Sequence, residues 1–238
     1  MKTHSFKNRT YVGDPLNLIK LFNELEVDEV GIWDIDKTKY ERPLNIQLLG
    51  EMALHARMPL SYGGGLSSMS DVNTVVSLGF EKISFSLASW MKSELPTVAA
   101  SELGSSGITA VINFKKNILR QFSGFDHRTA KPLMKLTEAI DFVTQKGAGE
   151  VLLQSMKNDG SRRGMEIDAI SLIADSVKVP IVFAGGAKDH ADAIQILKHV
   201  GVDAVASGSC FTFLTGRSGV LPTYPSDEDR FSDAEVPR

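Results

Sequence analysis

Short apolar runs that end in small or polar residues recur along this chain. They fall at 29–34, 58–62, 81–85, 108–114, 150–154, 179–183 and 203–207. Such runs are typical of strands that are buried on both faces of a parallel sheet. Segments with the spacing of amphipathic helices lie between them, for example 137–145 and 16–25, which follows an N-cap Asp14 and Pro15. The alternation of strands and helices predicts an α/β barrel.

The second half of the chain repeats the first. Residues 29–37 resemble 150–158 and residues 58–65 resemble 179–186, both at an offset of 121 positions. Residues 79–86 resemble 201–208 at an offset of 122. A constant offset across three blocks indicates duplication of a structural unit. We therefore predict a TIM-type (β/α)8 barrel built of two half-barrel repeats.

The same repeat indicates which strand the chain lacks. Moving the strand at 108–114 back by one repeat places its partner before Met1. We therefore expect the first strand to be missing from this chain, which would leave two unpaired edges. The barrel domain is predicted to span residues 1–224, and residues 225–238 are predicted to form a polar, disordered tail.

Composition narrows the possible partners. The 238 residues are 42% hydrophobic, which allows one large core, and 26 basic against 29 acidic residues give a net charge of -3. The absence of a basic block or a signal peptide predicts a cytoplasmic protein that binds neither nucleic acid nor membrane. Because Cys210 is alone and the five histidines are scattered, we expect no disulfide, metal or other cofactor.

Glycines and serines follow the strands in both halves, at the ends where parallel barrels place their ligands. Gly63–Gly65 and Gly185–Gly186 would let backbone N–H groups approach a phosphate. The small or polar residues at the other strand ends are Ser84, Ser86, Asp159, Gly160, Ser161, Ser207, Gly208 and Ser209. Two phosphate sites on one barrel mouth would suit a doubly phosphorylated substrate. The alternative is that these glycines only form tight turns.

Charged residues stand where the strands begin, namely Glu29, Lys82 and Glu150. Apolar residues would serve the floor of a barrel better, because unpaired buried charges are costly. One interpretation is a structural salt bridge between alternate strands. The other is a gated polar opening through the bottom of the barrel.

The ordered motifs of this chain resemble one known family. The segments GDPLNLIKLFNELEVDEV, DID, PLSYGGG, LGFEKISFS, KGAGEVLLQSMKNDGSRRG, PIVFAGGA and VASGSCF are similar to the cyclase subunit of imidazole glycerol phosphate synthase. The NRTYVGDP start and the GRSGVLPTY tail are most similar to a paralogous branch associated with surface-polysaccharide gene clusters that make acetamidino sugars.

The resemblance implies a reaction and a partner. Ammonia from a glutaminase subunit, joined to the barrel as a heterodimer, would convert a bisphosphorylated ribulosyl-formimino-aminoimidazole nucleotide to imidazole glycerol phosphate and AICAR, in histidine biosynthesis. Gly65 and Ser86 would hold one phosphate, and Lys2 would belong to a loop that closes over substrate. The residues expected around the other phosphate are Asp159, Gly160, Gly186, Gly208 and Ser209. Three members of the expected ammonia gate are Glu29, Lys82 and Glu150, and the fourth would lie on the missing first strand.

Two departures from the family weaken the case for catalysis. The family's acid/base pair is an aspartate on the first strand and another at the position of Asn113, and an amide cannot exchange protons as a carboxylate does. Leu87 also replaces a phosphate-binding threonine. Asp34 and Asp36 remain at the mouth, and Asp34 is predicted as a catalytic residue beside Asn113. Three alternatives stay open: a paralogue that assists amidation of an acetamido sugar, a catalytically silent phosphate-binding partner, and, more weakly, a sugar-phosphate isomerase.

Overall fold

A computed structural model describes residues 2–4, 7–40, 42–173, 177–199, 201–214 and 219–231 of the chain. Two short antiparallel strands, β1 (Lys2–His4) and β2 (Lys7–Thr10), come first and lie apart from the main sheet. The seven parallel strands of the main sheet are β3 (Val30–Trp33), β4 (Leu60–Gly63), β5 (Lys82–Ser86), β6 (Ile108–Lys116), β9 (Glu150–Ser155), β10 (Ile181–Ala184) and β11 (Ala204–Ala206).

Each parallel strand pairs with the next one along the chain, in the order β3-β4-β5-β6-β9-β10-β11. All seven strands predicted from the apolar runs are confirmed. Within the described residues, β3 and β11 are the end strands of this path, and they are the neighbours that the expected first strand would have in a closed barrel.

Helices follow the strands and cover the outside of the sheet. Helix α1 (Pro15–Glu24) begins at Asp14, whose Oδ1 accepts the backbone N–H groups of Leu16 and Asn17 at 3.0 and 3.1 Å, as the sequence predicts. The predicted helix at 137–145 is α7 (Leu136–Gln145). The others are α2 (Ile35–Tyr40), α3 (Ile46–His55), α4 (Met69–Ser77), α5 (Leu87–Lys92), α6 (Leu95–Leu103), α8 (Ile167–Ser171), α9 (His190–His199) and α10 (Asp227–Phe231).

The strands are buried on both faces, and the two faces have different partners. Along β6, Ala110, Ile112 and Phe114 belong to the large core between sheet and helices. Val111 alternates with them and packs on the opposite face against Leu152, Ala184, Val182 and Ala206. Because side chains alternate along a strand, this second set lines the inner face of the curved sheet.

The sequence did not predict a hairpin that extends β6. Strand β7 (Phe122–Phe125) pairs antiparallel with the end of β6, and β8 (Pro132–Lys135) pairs antiparallel with β7. The hairpin buries Phe122 and Phe125, which explains why this polar-flanked insertion is ordered.

Part of the predicted disordered tail is a short helix, α10. Asp28 accepts hydrogen bonds from the Tyr224 hydroxyl at 2.7 Å and from Arg230 Nη1 at 2.6 Å. Ser226 caps the helix through its bond with Asp229. These contacts anchor residues up to 231, and residues 232–238 lie outside the described part of the chain.

Candidate functional site

The three charged residues at the start of the strands form one ion-pair cluster. Lys82 Nζ donates to Glu29 Oε2 at 2.8 Å and to Glu150 Oε2 at 2.7 Å. Thr109, on the strand between Lys82 and Glu150, donates its hydroxyl hydrogen bond to Glu150 Oε1 at 2.8 Å. The structure thus brings together all three residues that the sequence predicts, and we call Glu29, Lys82 and Glu150 the charge triad.

The charge triad is partly open to water. Burial by itself would lower the pKa of Lys82, but hydrogen bonds to Glu150 and Glu29, together with their negative charges, raise the pKa above its ordinary value. The Lys82 side chain remains 25% exposed and that of Glu150 14%. Lys82 therefore stays protonated at neutral pH while water can still reach the cluster.

Asp34, one of the predicted catalytic residues, follows β3 and caps α2. Its Oδ1 accepts the backbone N–H groups of Asp36 at 3.1 Å and Lys37 at 2.8 Å. The first glycine turn passes directly over it, because a Cβ atom on Gly64 would lie 2.4 Å from the Asp34 carbonyl oxygen. Gly64 also has a φ of +127°, so this position requires glycine for two independent reasons.

Two predicted phosphate residues of the first half end neighbouring strands. Gly65 follows β4 with a φ of +60°, and Ser86 ends β5. The Ser86 hydroxyl accepts the backbone N–H of Ser89 at 3.3 Å and thereby caps α5. Leu87 is 1% exposed and belongs to the core, so the residue at the family's threonine position serves packing here.

In the second half, Gly186 holds two turns together. Gly164 donates its backbone N–H to the Gly186 carbonyl oxygen at 2.8 Å. A Cβ atom on Gly186 would lie 2.4 Å from the Gly164 carbonyl oxygen and 2.8 Å from the Asn158 Cβ. Close packing therefore accounts for Gly186 whether or not it also contacts a phosphate.

Asp159 and Gly160 lie in the turn after β9, which a buried serine supports. Asp159 is 2% exposed and donates its backbone N–H to the Ser155 carbonyl oxygen at 3.0 Å. Gly160 adopts a φ of +69°. The Ser155 hydroxyl donates to Glu166 Oε2 at 2.5 Å and accepts the backbone N–H of Asn158 at 3.1 Å. No local motif predicts this pair, because Ser155 and Glu166 are 11 positions apart along the chain.

Ser209 presents a buried hydroxyl after the last strand. The residue is 4% exposed, and its Oγ has no hydrogen-bond partner among the described residues. The neighbouring Ser207 hydroxyl accepts the backbone N–H groups of Ser209 and Cys210 at 3.3 and 3.0 Å, which orients this turn. Gly208, between Ser207 and Ser209, is exposed. An unpaired buried hydroxyl is costly, so Ser209 is suited to donate to a bound anion.

Asn113 lies on the inner face of β6, two residues beyond Val111, where the parallel pairing of β6 with β9 is about to end. It is 4% exposed, and its Oδ1 has no hydrogen-bond partner among the residues described. A carboxamide there can donate and accept hydrogen bonds but cannot take up a proton near neutral pH. The end of β6 can therefore orient a ligand, whereas it offers no acid/base group.

Lys2 belongs to β1, opposite Thr10, and its side chain lies outside what the structure describes. In the described part of the chain, no cluster of three or more histidine, cysteine, aspartate or glutamate side chains could hold a metal ion. None of the described helices combines the length and apolarity needed to cross a bilayer.

Comparison with known proteins identifies the family of this chain. The family model described as "Histidine biosynthesis protein" matches residues 1–216. The "Putative imidazole glycerol phosphate synthase subunit HisF" of Leptospira borgpetersenii is 35% identical over 97% of this chain and 91% of its own length. The "Putative imidazole glycerol phosphate synthase subunit hisF3" of Vibrio vulnificus is 36% identical over 99% and 92%, respectively.

A relative whose name lacks the word "Putative" has a lower sequence identity to this chain. The "Imidazole glycerol phosphate synthase subunit HisF" of Lactococcus lactis is 29% identical over 90% of this chain and 83% of its own length. The numbered names of two nearer relatives, hisF2 of Pseudomonas aeruginosa and hisF3 of Vibrio vulnificus, are consistent with a paralogous branch. The chain belongs to the histidine biosynthesis protein family, whose fold is the TIM barrel, and within it to the HisF-like proteins.

Proposed function

We propose that this chain is the ammonia-using barrel subunit of a glutaminase-coupled synthase of the imidazole glycerol phosphate synthase type. The observation that carries the proposal is the charge triad at the start of the strands, opposite the glycine- and serine-containing turns. Ammonia that enters at the end of the barrel opposite the ligand can travel through the interior and so avoid bulk water. A conduit therefore needs its entrance at that opposite end. Charges that pair with one another can close such an entrance without being left unsatisfied.

The turns at the C-terminal ends would hold a phosphorylated acceptor. Gly65 and Ser86 would lie at one phosphate, and the turns of Asp159, Gly160, Gly186, Gly208 and Ser209 at the other. The unpaired hydroxyl of Ser209 supports this role most directly. The acceptor that fits the family is the bisphosphorylated ribulosyl-formimino-aminoimidazole nucleotide, which ammonia would convert to imidazole glycerol phosphate and AICAR. Lys2 would close over it.

Asn113 supports a second candidate function. Because the end of β6 offers no carboxylate, a chain that binds the ligand and the partner need not complete the cyclisation at an ordinary rate. The alternatives are a paralogue that assists amidation of an acetamido sugar in surface-polysaccharide synthesis, or a catalytically silent phosphate-binding partner of the glutaminase.

Three measurements separate these functions. Calorimetric titration with the bisphosphorylated nucleotide tests binding, co-purification with a candidate glutaminase tests association, and single-turnover assays with ammonium test chemistry. Binding with measurable, ammonium-dependent product supports the synthase function. Binding and glutaminase association without product would favour the second candidate, and failure of both binding and association would refute the proposal.

A further inference from the structure

Small residues line the inner face of the first half of the sheet. They are Gly31, Ser61, Gly63 and Ser84, which face inward in register with one another across β3, β4 and β5. At the level of Gly31 and Ser61, the second half presents the larger Leu152 and Val182, whereas at the level of Gly63 and Ser84 it presents the small Ala184 and Ala206. Bulky branched side chains normally fill the interior of a parallel barrel, so the first half leaves space that something else must fill.

The indole of Trp33 fills that space. A Cβ atom on Gly31 would lie 2.2 Å from Trp33 Cη2 and 2.3 Å from its Cζ3, and one on Gly63 would lie 3.2 Å from Cδ1. The ring therefore lies flat along the inner face of β3, reaching back from the strand end over Gly31. Only glycine at position 31 leaves room for it.

This position places the indole between the two ends of the proposed conduit. Glu29 of the charge triad precedes Gly31 by two residues and shares its face of the strand, because side chains alternate. Asp34, at the mouth, follows Trp33 directly. The ring thus lies above the charge triad and below the turns that would hold the acceptor.

The indole is packed far less tightly than the other tryptophan. Trp33 is 43% exposed, whereas Trp90 is fully buried between sheet and helices and meets Phe85 edge to face. A partly exposed side chain changes rotamer on a fast timescale, while a fully packed one does not. Trp33 can therefore leave its place over Gly31 without breaking the core.

We propose that Trp33 is a positioning residue that closes the interior of the barrel between the charge triad and the mouth, and that rotation of its indole away from Gly31 opens the passage for ammonia. This inference rests on the proposed function, because ammonia is the small neutral molecule that would use the passage. Gly31 is the second part of the device, since it provides the site where the ring rests.

Cysteine labelling tests the closure without any need for turnover. Ser84 is 6% exposed and lies beside Gly63, so a Ser84→Cys thiol stands next to the indole. In a Cys210→Ala background, its rate of modification by methyl methanethiosulfonate, a small neutral reagent, is compared with and without Trp33→Ala. We expect labelling at least about 10-fold faster when the indole is absent, and faster labelling also in Gly31→Ala, where the ring has no resting place.

Two controls exclude general loosening of the fold. A Ser70→Cys thiol, on the exposed surface of α4, should react at the same rate in every background. Cys210 in chains that retain it should stay unreactive, because it is 4% exposed and burial raises the pKa of its thiol to about 12. Unchanged Ser84→Cys labelling in both Trp33→Ala and Gly31→Ala would overturn the inference.

The result can be told apart from failure of the proposed function. If labelling accelerates but the complex with a glutaminase transfers no ammonia to an acceptor, the indole closes the interior and the proposed function is wrong. If ammonia transfer occurs but labelling does not change, the passage exists and Trp33 does not close it.

Discussion

Lys82 Nζ lies 2.7 Å from Glu150 Oε2, although 68 residues and a complete strand, β6, separate the two. The contact exists because β5 and β9 begin at the same end of the sheet and both side chains face inward. Removing one member of a partly buried ion pair leaves the charge of the other member without an opposite charge to stabilise it. We expect Lys82→Met to lower the free energy of unfolding by about 1–3 kcal/mol, less than in a fully buried cluster because water reaches the pair.

Denaturant unfolding measures this loss. The exposed Lys20→Met in α1 is the matched control, because it removes the same charge from the surface, and it should change stability by less than about 0.5 kcal/mol. Equal effects of the two substitutions would mean that the charge triad adds no stability.

The pKa of Lys82 predicts how this contribution depends on pH. Because the pKa in the folded protein is raised above the ordinary value of 10.5, the stabilisation is fully present below pH 10.5 and is lost as the pH rises through the folded pKa. The difference in unfolding free energy between wild type and Lys82→Met should therefore be constant from neutral pH to about pH 10 and shrink above that. A difference that instead shrinks on acidification toward neutral pH would contradict this assignment.

The contact between Gly31 and Trp33 predicts strong coupling between the two positions. Gly31→Ala forces the indole out of its place and should destabilise the protein by about 1–3 kcal/mol. The same change in a Trp33→Leu background should cost much less, because no ring occupies the space. A double-mutant cycle by denaturant unfolding gives the coupling energy, and additive effects would show that the ring does not rest on Gly31 in solution.

Ser209 predicts a specific loss of anion affinity. Hydrogen bonds to charged groups contribute about 1.5–3 kcal/mol, so Ser209→Ala should weaken binding of the bisphosphorylated nucleotide about 10- to 100-fold. The exposed Ser70→Ala in α4 is the matched control and should leave the affinity unchanged. Ser209 is a better test than Gly186, because any side chain at Gly186 collides with the Gly164 backbone and would disturb the turn itself. Calorimetric titration measures this affinity. If Ser209→Ala binds the nucleotide as tightly as wild type does, the hydroxyl has a purely structural role.

Asn113 predicts slow chemistry. Each general acid or base typically contributes a factor of 10² to 10⁴, and the family pattern needs two carboxylates. Turnover with ammonium should be far below 1 s⁻¹, an ordinary rate for an enzyme, and Asn113→Asp alone should not restore it. Single-turnover assays decide the matter. Turnover of about 1 s⁻¹ or more by the unaltered chain would mean that other groups, such as Asp34 or Asp159, do the acid/base work.

The order of the strands and the charge triad could be predicted because their signals are local or repeated. Each strand is a short apolar run, and the 121-residue offset shows which strand start in the first half corresponds to which in the second half. The place of Trp33 could not be predicted in this way. Its position depends on the missing side chain at Gly31 and on the width of the barrel interior, and neither produces a periodic pattern. The hairpin of β7 and β8 could not be predicted either, because it contains too few apolar residues to form a recognisable strand pattern.

The glycines show the limit of motif reasoning most clearly. Gly64 and Gly186 fit a phosphate motif, yet each also meets a neighbouring backbone too closely for any other residue. A glycine motif alone therefore could not distinguish ligand binding from packing, whereas the unpaired buried hydroxyl of Ser209 can be removed to test ligand binding without disturbing the turn. Its unpaired state depends on tertiary burial that the sequence does not display.

The most direct test of the account follows nitrogen from glutamine to product. The chain is combined with a candidate glutaminase, the bisphosphorylated nucleotide and amide-¹⁵N glutamine in excess unlabelled ammonium, and the isotope content of the product is measured by mass spectrometry. We expect ¹⁵N to be retained in the product, even if turnover is slow, and to be lost in Lys82→Met, because ammonia should travel through the barrel interior past the charge triad. Product that carries only unlabelled nitrogen in the wild-type complex would contradict the proposed conduit.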